Sequence, residues 1–328
     1  MTRTRTRETR TRTLVVDLLG GLGDLVMVLP AVHALARRHG PVRVLTHAPG
    51  DALLATDPAV DGVARAERGR ELAAVEAELE RGPDLVVSTT GHSGIGAAIR
   101  ARAPRSVTNL WRNPPPDQPV ARRYVEILAA EGLVDARYRP PAIHLTDAER
   151  AAADPPGDRP VVLVPAAGMA VKVWPHWAEL AARLTRERGE PPLLVAGDGR
   201  FGRPLPPTDL RGLAAVFAAV ADRSGVVVGP DTGPVRVAGA VGARTVGLFG
   251  PTLASRYGLD PPALDLQGLP GCPHRRPTAI TEQVCWWDAA CPLDPRGPAC
   301  LAAILPDAVL EAVRAALGAP APGPFPAH

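Results

Sequence analysis

Apolar and polar residues follow one another in short blocks along the first half of the chain. Short apolar runs bounded by turn residues are typical of buried strands, and apolar residues that recur every three to four positions are typical of helices. Strands alternating with helices favour a parallel sheet joined by crossover helices. We predict strands at residues 14–19, 42–47, 84–90 and 106–110, and helices at 25–38 and 121–133.

The pattern breaks at residues 146–160 and then restarts. Thr146 and Glu149 are spaced as a capping box, and the Pro, Gly and Asp cluster that follows is typical of a linker. We therefore predict two α/β domains with a ligand cleft between them, because pockets favour domain interfaces and the carboxyl ends of parallel strands. The second domain is predicted to have strands at 161–165, 193–198, 226–231 and 245–250 and helices at 175–189, 209–222, 233–242 and 306–317. The predicted domains are residues 13–153 and 158–318, with disordered tails at 1–12 and 319–328.

Charge and composition exclude several classes of protein. The net charge is +3, and residues 1–12 contribute five Arg and one Glu, so the remaining chain is close to neutral and gives no sign of nucleic-acid binding. Asp17 and Asp24 interrupt the first apolar run, which argues against a signal peptide. No apolar stretch is long enough to span a membrane. We expect a cytoplasmic protein with no nucleic-acid partner and no transmembrane segment, for which peripheral membrane contact stays open.

The first motif that could carry chemistry is GGLGDLVMVLP, residues 20–30. A dinucleotide fingerprint would need a third Gly at position 26 and an acidic residue after the second strand. Position 26 is Val and the second strand ends at His47, so an NAD site is disfavoured. Asp24 is then a helix N-cap, a carboxylate that acts as a general base at the cleft, or both.

The second motif is PAAGMAVKVWPHW, residues 165–177, which contains the single Lys among 37 basic residues. A cation next to a helix start is unfavourable unless an anion binds there. Most surface roles of Lys can be taken by Arg, and this chain has 36 arginines. We therefore interpret Lys172 as a phosphate contact rather than as a solvated surface lysine.

The third motif follows the strand predicted at 226–231. Asp231, Thr232 and Gly233 would place a carboxylate, a hydroxyl and free backbone N–H groups at a helix start, which favours a site for an anion or for sugar hydroxyls. Arg236, one turn further, could reach a pyrophosphate. The alternative is a capping turn on a tightly packed helix.

Taken together and in this order, the motifs resemble glycosyltransferase family 9, the ADP-heptose:lipopolysaccharide heptosyltransferases and their relatives. The matching segments are GDLVMVLP with AVHAL, KVWPHWAEL, and GPDTGPVRVAGAVG with GLFGPT, and the resemblance extends over roughly residues 14–315. It implies the GT-B fold, an α/β architecture of two Rossmann-like domains that face each other across the active site. It also implies sugar transfer from a nucleotide donor with inversion, without an essential metal or a cofactor.

The resemblance also implies roles for individual residues. Asp24 corresponds to the base that deprotonates the acceptor hydroxyl, and Lys172 to the residue that neutralises the departing pyrophosphate. Arg236 replaces a His that many relatives have, and the loop has Ala166 and Ala167 where many have Ser or Thr, which leaves the sugar and the nucleotide open. The predicted donor-binding residues are Gly23, Gly168, Lys172, Asp198, Asp231, Thr232, Gly233 and Arg236.

The four cysteines all lie between residues 272 and 300. They are separated by 12, 5 and 8 residues, whereas zinc sites usually contain close pairs. We therefore favour free or occasionally paired thiols over a metal site, and we predict no metal. Trp286 and Trp287 are expected to lie in the core rather than to form an acceptor platform. The cysteines are Cys272, Cys285, Cys291 and Cys300.

The sequence therefore predicts an inverting, metal-independent glycosyltransferase. The expected donor is ADP-heptose, and the expected acceptor is a hydroxyl of a cell-envelope glycan or of a small metabolite. The acceptor-facing loops are expected near 92–100 and 111–119. Two alternatives stay open, namely a non-catalytic protein that binds sugar nucleotides and, less favoured, an NAD-dependent oxidoreductase.

Overall fold

The structure is a computed structural model that describes residues 11–155, 157–196 and 199–319. Most of each predicted disordered tail, at residues 1–10 and 320–328, lies outside the described residues. Among the described residues, no helix combines the length and the apolar character needed to cross a bilayer.

The first half of the chain forms a parallel sheet of five strands in the order β3-β2-β1-β4-β5. Val15 of the central strand lies opposite Val44 and Val87 of its two neighbours. All four residues of the central strand are buried, as expected for a sheet with helices on both faces. The strands are β1 (Thr13–Val16), β2 (Val42–His47), β3 (Val60–Ala66), β4 (Leu85–Ser88) and β5 (Arg105–Val107), and the helices are α1 (Leu22–His39), α2 (Glu71–Glu80), α3 (Ile95–Arg102) and α4 (Val120–Ala130).

The second half forms a parallel sheet of six strands in the order β11-β10-β9-β6-β7-β8. The strands are β6 (Val161–Leu163), β7 (Leu193–Leu194), β8 (Arg203–Pro204), β9 (Val226–Pro230), β10 (Arg244–Phe249) and β11 (Leu264–Gln267). Helix α5 (Asp147–Ala152) ends the first half and precedes this sheet. The helices of the second half are α6 (Trp177–Arg188), α7 (Leu210–Asp222), α8 (Gly233–Ala240), α9 (Ala254–Tyr257), α10 (Ala299–Ala302) and α11 (Pro306–Gly318).

Each sheet has a topological switch point beside its first strand. β1 lies between β2 and β4, and β6 lies between β7 and β9, so the connections leave these central strands in opposite directions. Such a point leaves a crevice at the carboxyl ends of the strands, where ligands bind. The segments after β1, β6 and β9 are the three that carry the sequence motifs.

The two halves pack together directly. Helix α1 lies against α8, and α5 lies against α7. The Ile143 amide donates to the Ala240 carbonyl at 2.9 Å, and the Tyr138 hydroxyl donates to Asp260 at 2.8 Å. Helix α5, which the sequence placed in the first domain, thus contacts the second sheet's helix layer, and the exact domain boundaries stay a prediction.

Each predicted strand and helix has a counterpart in the structure, which adds β3, β8, β11 and α2 as elements that were not predicted. One predicted loop is wrong. Residues 92–100 were expected to form a loop facing the acceptor, but Ile95–Arg102 is helix α3. Its sequence, IGAAIRAR, has only Ile95 and Ile99 as large apolar residues and is otherwise Ala, Gly and Arg, so the periodic signal is weak.

Candidate active site

Asp24 lies in the first turn of α1, directly after the glycine-rich turn that follows β1. The N-cap is Gly21, so Asp24 is the third helical residue and the N-cap interpretation of Asp24 is wrong. Its Oδ2 instead accepts a hydrogen bond from the Gly21 amide at 2.9 Å. Gly20 has a φ of +120°, which a residue with a side chain rarely adopts and which allows the turn to fold back on itself.

Opposing influences act on the Asp24 carboxyl group. Burial raises its pKa, whereas the Gly21 amide and the positive charges of Arg236 and Lys172 lower it, and the net shift is upward. A carboxylate with a raised pKa is a better proton acceptor than an ordinary surface aspartate, which suits a general base.

Lys172 and Asp231 meet across the second switch point. Lys172 ends a short 3-10 turn, Ala170–Lys172, after β6, and Asp231 directly follows β9, which pairs with β6. The Lys172 Nζ donates to the Asp231 carbonyl at 2.8 Å and to its Oδ2 at 3.0 Å. The lysine therefore has a buried carboxylate as its partner and is not a solvated surface side chain.

Asp231 accepts hydrogen bonds from both cations on this side of the site, Lys172 and Arg236. Its Oδ1 accepts from Arg236 Nη2 at 2.6 Å, and its Oδ2 also accepts from the Thr252 hydroxyl at 2.9 Å. Burial would raise the pKa of Asp231, but the charges and hydrogen bonds of Lys172 and Arg236 outweigh burial and hold that pKa well below its usual range. The carboxylate is therefore ionised and keeps both cations in fixed positions.

The N-termini of α1 and α8 approach each other at this site. A Cβ on Gly23 would come within 3.2 Å of the Arg236 side chain, and one on Gly233 within 2.7 Å of Leu22. These glycines are therefore required for close approach of the two helices. The Thr232 hydroxyl, at the N-cap of α8, is buried and has no hydrogen-bond partner among the described residues. Two helix N-termini and a free hydroxyl thus face the same space, which is suited to an anion.

One cavity of about 910 Å³ contains these groups. The volume falls in the range of small-molecule and cofactor sites. Asp198 lies outside the described residues. The other predicted site residues all line the cavity, namely Gly23, Asp24, Gly168, Lys172, Asp231, Thr232, Gly233 and Arg236. The structure thus brings them together, and their individual roles stay predictions.

The cavity also includes residues that sequence reasoning did not assign to the site. Thr252 belongs to the GLFGPT segment, so its motif was a usable signal, whereas Arg68 carries no sequence signal of its own. Trp286 is buried, as expected, and lies 5.6 Å from the Lys172 Nζ to its ring centre. Trp287 is 75% exposed at the rim, so the expectation of a core position is wrong for this residue.

A separate group of possible metal ligands lies away from the cavity, with His33 and Asp57 buried and His144 half-buried. His33, Asp57 and His144 offer ligand atoms within 4.8 Å of one another. The His33 Nε2 lies 2.8 Å from Asp57 Oδ2, so the pair already forms a hydrogen bond. None of the three lines the cavity described above. The expectation that no metal is used stays a prediction.

The fold and the site together define a class of protein. Two parallel α/β units, each with a switch point that opens onto one shared cavity, form the GT-B fold predicted from the motifs. The family model for glycosyltransferase family 9 (heptosyltransferase) matches residues 203–268, which include the Asp231–Gly233 motif. A search of curated proteins returned no significant match.

Solved structures of family members have the same fold. A glycosyl transferase family 9 protein from Veillonella parvula is 18% identical with a TM-score of 0.72, and the match covers 94% of this chain and 98% of that one. The E. coli ADP-heptose LPS heptosyltransferase II is 20% identical with a TM-score of 0.67 and the same coverage. E. coli heptosyltransferase WaaC is 16% identical with a TM-score of 0.64, covering 92% of this chain and 99% of that one. These findings confirm the predicted resemblance to family 9 and support a glycosyltransferase.

Proposed function

We propose that the protein is an inverting glycosyltransferase of the cytoplasm that transfers heptose from ADP-heptose to a hydroxyl group of a glycan or a small metabolite. The observation that carries the proposal is the meeting of Asp24 from the first half with the Lys172–Asp231 pair from the second half in one cavity. Solved structures of the E. coli relative WaaC contain ADP-2-deoxy-2-fluoro heptose in one case and ADP in another, which supports an ADP-linked donor.

The donor's pyrophosphate would lie at the N-terminus of α8. Backbone N–H groups at a helix N-terminus can donate to phosphate oxygens. The Thr232 hydroxyl, which has no partner among the described residues, can add a further bond. Lys172 would supply a positive charge beside the bond that breaks. Negative charge builds on the leaving phosphate in the transition state, so donors that are already fixed in place stabilise it without reorganisation.

The acceptor hydroxyl would approach from the side of α1. Asp24 takes its proton, the acceptor oxygen forms a bond to the anomeric carbon, and the bond from that carbon to the phosphate oxygen breaks. The bonding electrons leave with ADP. Attack from the face opposite the leaving group in a single displacement inverts the configuration of that carbon.

The transfer step needs neither a metal nor a cofactor in this proposal. Lys172, Arg236 and two helix N-termini supply the positive potential that a divalent ion supplies elsewhere.

Binding and turnover test the proposal separately. Thermal-shift titrations with ADP, GDP and UDP identify the nucleotide, and ADP is expected to stabilise the protein most. Mass spectrometry of reactions that contain ADP-heptose and a panel of hydroxyl-bearing acceptors should then detect a product heavier by one heptose unit. Asp24→Asn should bind ADP but lose transfer by about 10²–10⁴-fold.

Each alternative predicts a different result. ADP binding without transfer to any acceptor in the panel would favour the non-catalytic sugar-nucleotide protein. Stabilisation by NAD(H) but not by ADP-heptose would favour the oxidoreductase. Full turnover by Asp24→Asn would contradict the assignment of the base.

A further inference from the structure

Two histidines and one aspartate from separate parts of the chain meet where the two halves join. His33 lies within α1, Asp57 follows the 3-10 turn Gly50–Leu54, and His144 lies in the connector that leads into α5. Each residue offers a ligand atom within 4.8 Å of those of the other two. In the part of the chain that the structure describes, no other group of three His, Cys, Asp or Glu side chains converges so closely.

The distances between the donor atoms suit a small metal ion. The His33 Nε2 lies 2.8 Å from Asp57 Oδ2, and the His144 Nε2 lies 4.0 Å from Asp57 Oδ1. Ligand atoms around a tetrahedral Zn²⁺ lie about 3.3 Å apart, because each is about 2.0–2.1 Å from the ion. The two separations lie on either side of this value, so small adjustments of the side chains would enclose an ion.

Neighbouring groups hold two of the three ligands in position. The Ala59 amide donates to Asp57 Oδ1 at 2.9 Å. The His144 carbonyl accepts from the Thr56 hydroxyl at 2.7 Å and from Arg211 Nη2 at 3.2 Å. Hydrogen bonds to ligand residues orient them before an ion arrives, which lowers the cost of binding.

Burial and charge also favour a cation at this position. The Asp57 side chain is 1% exposed, and a buried carboxylate is costly unless a positive charge or a metal compensates it. Burial lowers the pKa of His144, so its imidazole is neutral at physiological pH and keeps a lone pair for a metal. His144 remains 28% exposed, which leaves the ion a path of entry.

We propose that His33, Asp57 and His144 bind one Zn²⁺ ion, with a water molecule as the fourth ligand. Two imidazole nitrogens and one carboxylate oxygen form a ligand set that Zn²⁺ accepts in a tetrahedral shell. None of the three residues lines the active-site cavity, so the site is separate from the transfer step and does not rest on the proposed function.

An ion at this position would hold the two halves of the chain together. His33 belongs to the helix that carries Asp24 at its first turn. Ile143, the residue before His144, donates its amide to the Ala240 carbonyl of α8 at 2.9 Å. Zn²⁺ would therefore fix the connector against α1 and stabilise the packing of α1 on α8, on which the active-site cavity depends.

The test uses the full chain without a histidine tag, stripped of metal with a chelator and kept reduced. Calorimetric titration should detect one Zn²⁺ bound by these three residues. A free Zn²⁺ concentration of about 100 times Kd should raise Tm by about 4 °C.

The test must also separate this site from the thiols. The four cysteines are free in the structure, and thiols bind Zn²⁺ as well. Co²⁺ bound by nitrogen and oxygen ligands should produce weak visible bands without the intense near-ultraviolet absorption of a cobalt–thiolate centre. None of these readouts depends on glycosyl transfer.

Variants identify the ligands. Asp57→Asn and His144→Gln should each weaken the binding of one Zn²⁺ equivalent at least tenfold. His144→Gln is the milder change, because this side chain is only half-buried. His39→Gln should retain wild-type binding, because His39 lies on the same helix as His33 but its Nε2 contacts the Leu133 carbonyl at 2.8 Å.

Two results would overturn the proposal. One is a wild-type Zn²⁺ affinity in both Asp57→Asn and His144→Gln, which would leave the three residues as a polar contact between helix and connector. The other is a cobalt spectrum of the wild type that shows thiolate ligands alone or no bound ion. If the variants fail to fold, this spectrum decides alone.

Discussion

At the scale of single residues, the partners of Asp24 and Lys172 decide what each side chain can do. Asp24 has two interpretations in the sequence, and only its position as the third helical residue, with the Gly21 amide bound to its carboxylate, excludes the N-cap. Lys172 has a phosphate-binding and a surface interpretation, and its ion pair with Asp231 excludes the surface one.

The raised pKa of Asp24 predicts how the rate depends on pH. A general base is active when deprotonated, so kcat/KM should fall as the pH decreases through the Asp24 pKa. Since that pKa is raised in the folded protein, the fall should occur above the range of an ordinary aspartate, which is about 3.9. A pH profile of kcat/KM with ADP-heptose checks this. An acidic limb at or below pH 4, or none, would contradict the role of Asp24.

Lys172 can be labelled selectively because it is the single lysine of the chain. Amine acylation should modify only Lys172 and the N-terminal amine, and modification at Lys172 should abolish ADP binding because it removes the charge. Bound ADP should protect Lys172 and leave the N-terminus reactive, as measured by peptide mass spectrometry. Equal labelling of Lys172 with and without saturating ADP would argue against phosphate contact. Lys172→Arg, which keeps the charge, is the comparison variant.

At the scale of elements, the site depends on how closely α1 and α8 approach each other. Neither helix makes the site alone, because the first carries Asp24 and the second follows Asp231 and Thr232. Gly23 and Gly233 permit the two helices to approach closely. The sequence does not reveal this role, because a glycine-rich turn has several explanations.

A matched pair of glycine substitutions tests the approach of the two helices. Gly233→Ala would place a Cβ 2.7 Å from the Cβ of Leu22, so we expect it to lower the free energy of unfolding by about 1–3 kcal/mol. Gly168→Ala lines the same cavity, but its Cβ would have no neighbour within 4 Å, so the free energy should change little. Urea unfolding of both variants measures the difference. Equal stability of the two would show that α1 and α8 are not in tight contact.

At the scale of the whole molecule, Arg211 joins the two halves of the chain. From α7, it forms an ion pair with Glu149 of α5 and also donates to the Thr56 hydroxyl at 2.8 Å and the Ala52 carbonyl at 3.2 Å. The Arg211 hydrogen bond, together with the Thr146 amide, lowers the pKa of Glu149 to about 2. The capping box predicted at Thr146 is confirmed, and the structure adds that its glutamate also reaches across to the second half.

The depressed pKa of Glu149 predicts how stability depends on pH. Because the folded pKa is lower than the unfolded one, which is about 4.3, the contribution is complete above that value and is lost as the pH falls towards 2. Glu149→Gln should therefore lower Tm by about 2 °C at neutral pH. The difference from the wild type should shrink between pH 4.5 and pH 2.5.

Calorimetry across that pH range measures the effect, with Glu80→Gln at the exposed end of α2 as the control. A Tm difference that stays constant with pH would show that the Glu149 charge does not hold the two halves together.

The sequence by itself determined the fold class and most of the site. Buried parallel strands are continuous apolar runs, and the helices that cover them have apolar residues at a period of 3.6. Both α/β units could therefore be predicted from the sequence. The site residues could be predicted as well, because they lie in motifs that follow the strands. These are local properties, set by neighbours along the chain. Helix α3 was missed because its apolar pattern is weak.

Only the tertiary structure decided which distant groups meet. The contacts of Lys172 with Asp231 and of Gly233 with Leu22 join segments that local patterns treat separately. The physical reason is that burial, charge pairing and close helix approach depend on positions in space. Sequence spacing therefore made the four cysteines look unconnected, whereas the folded chain places them around one small cavity.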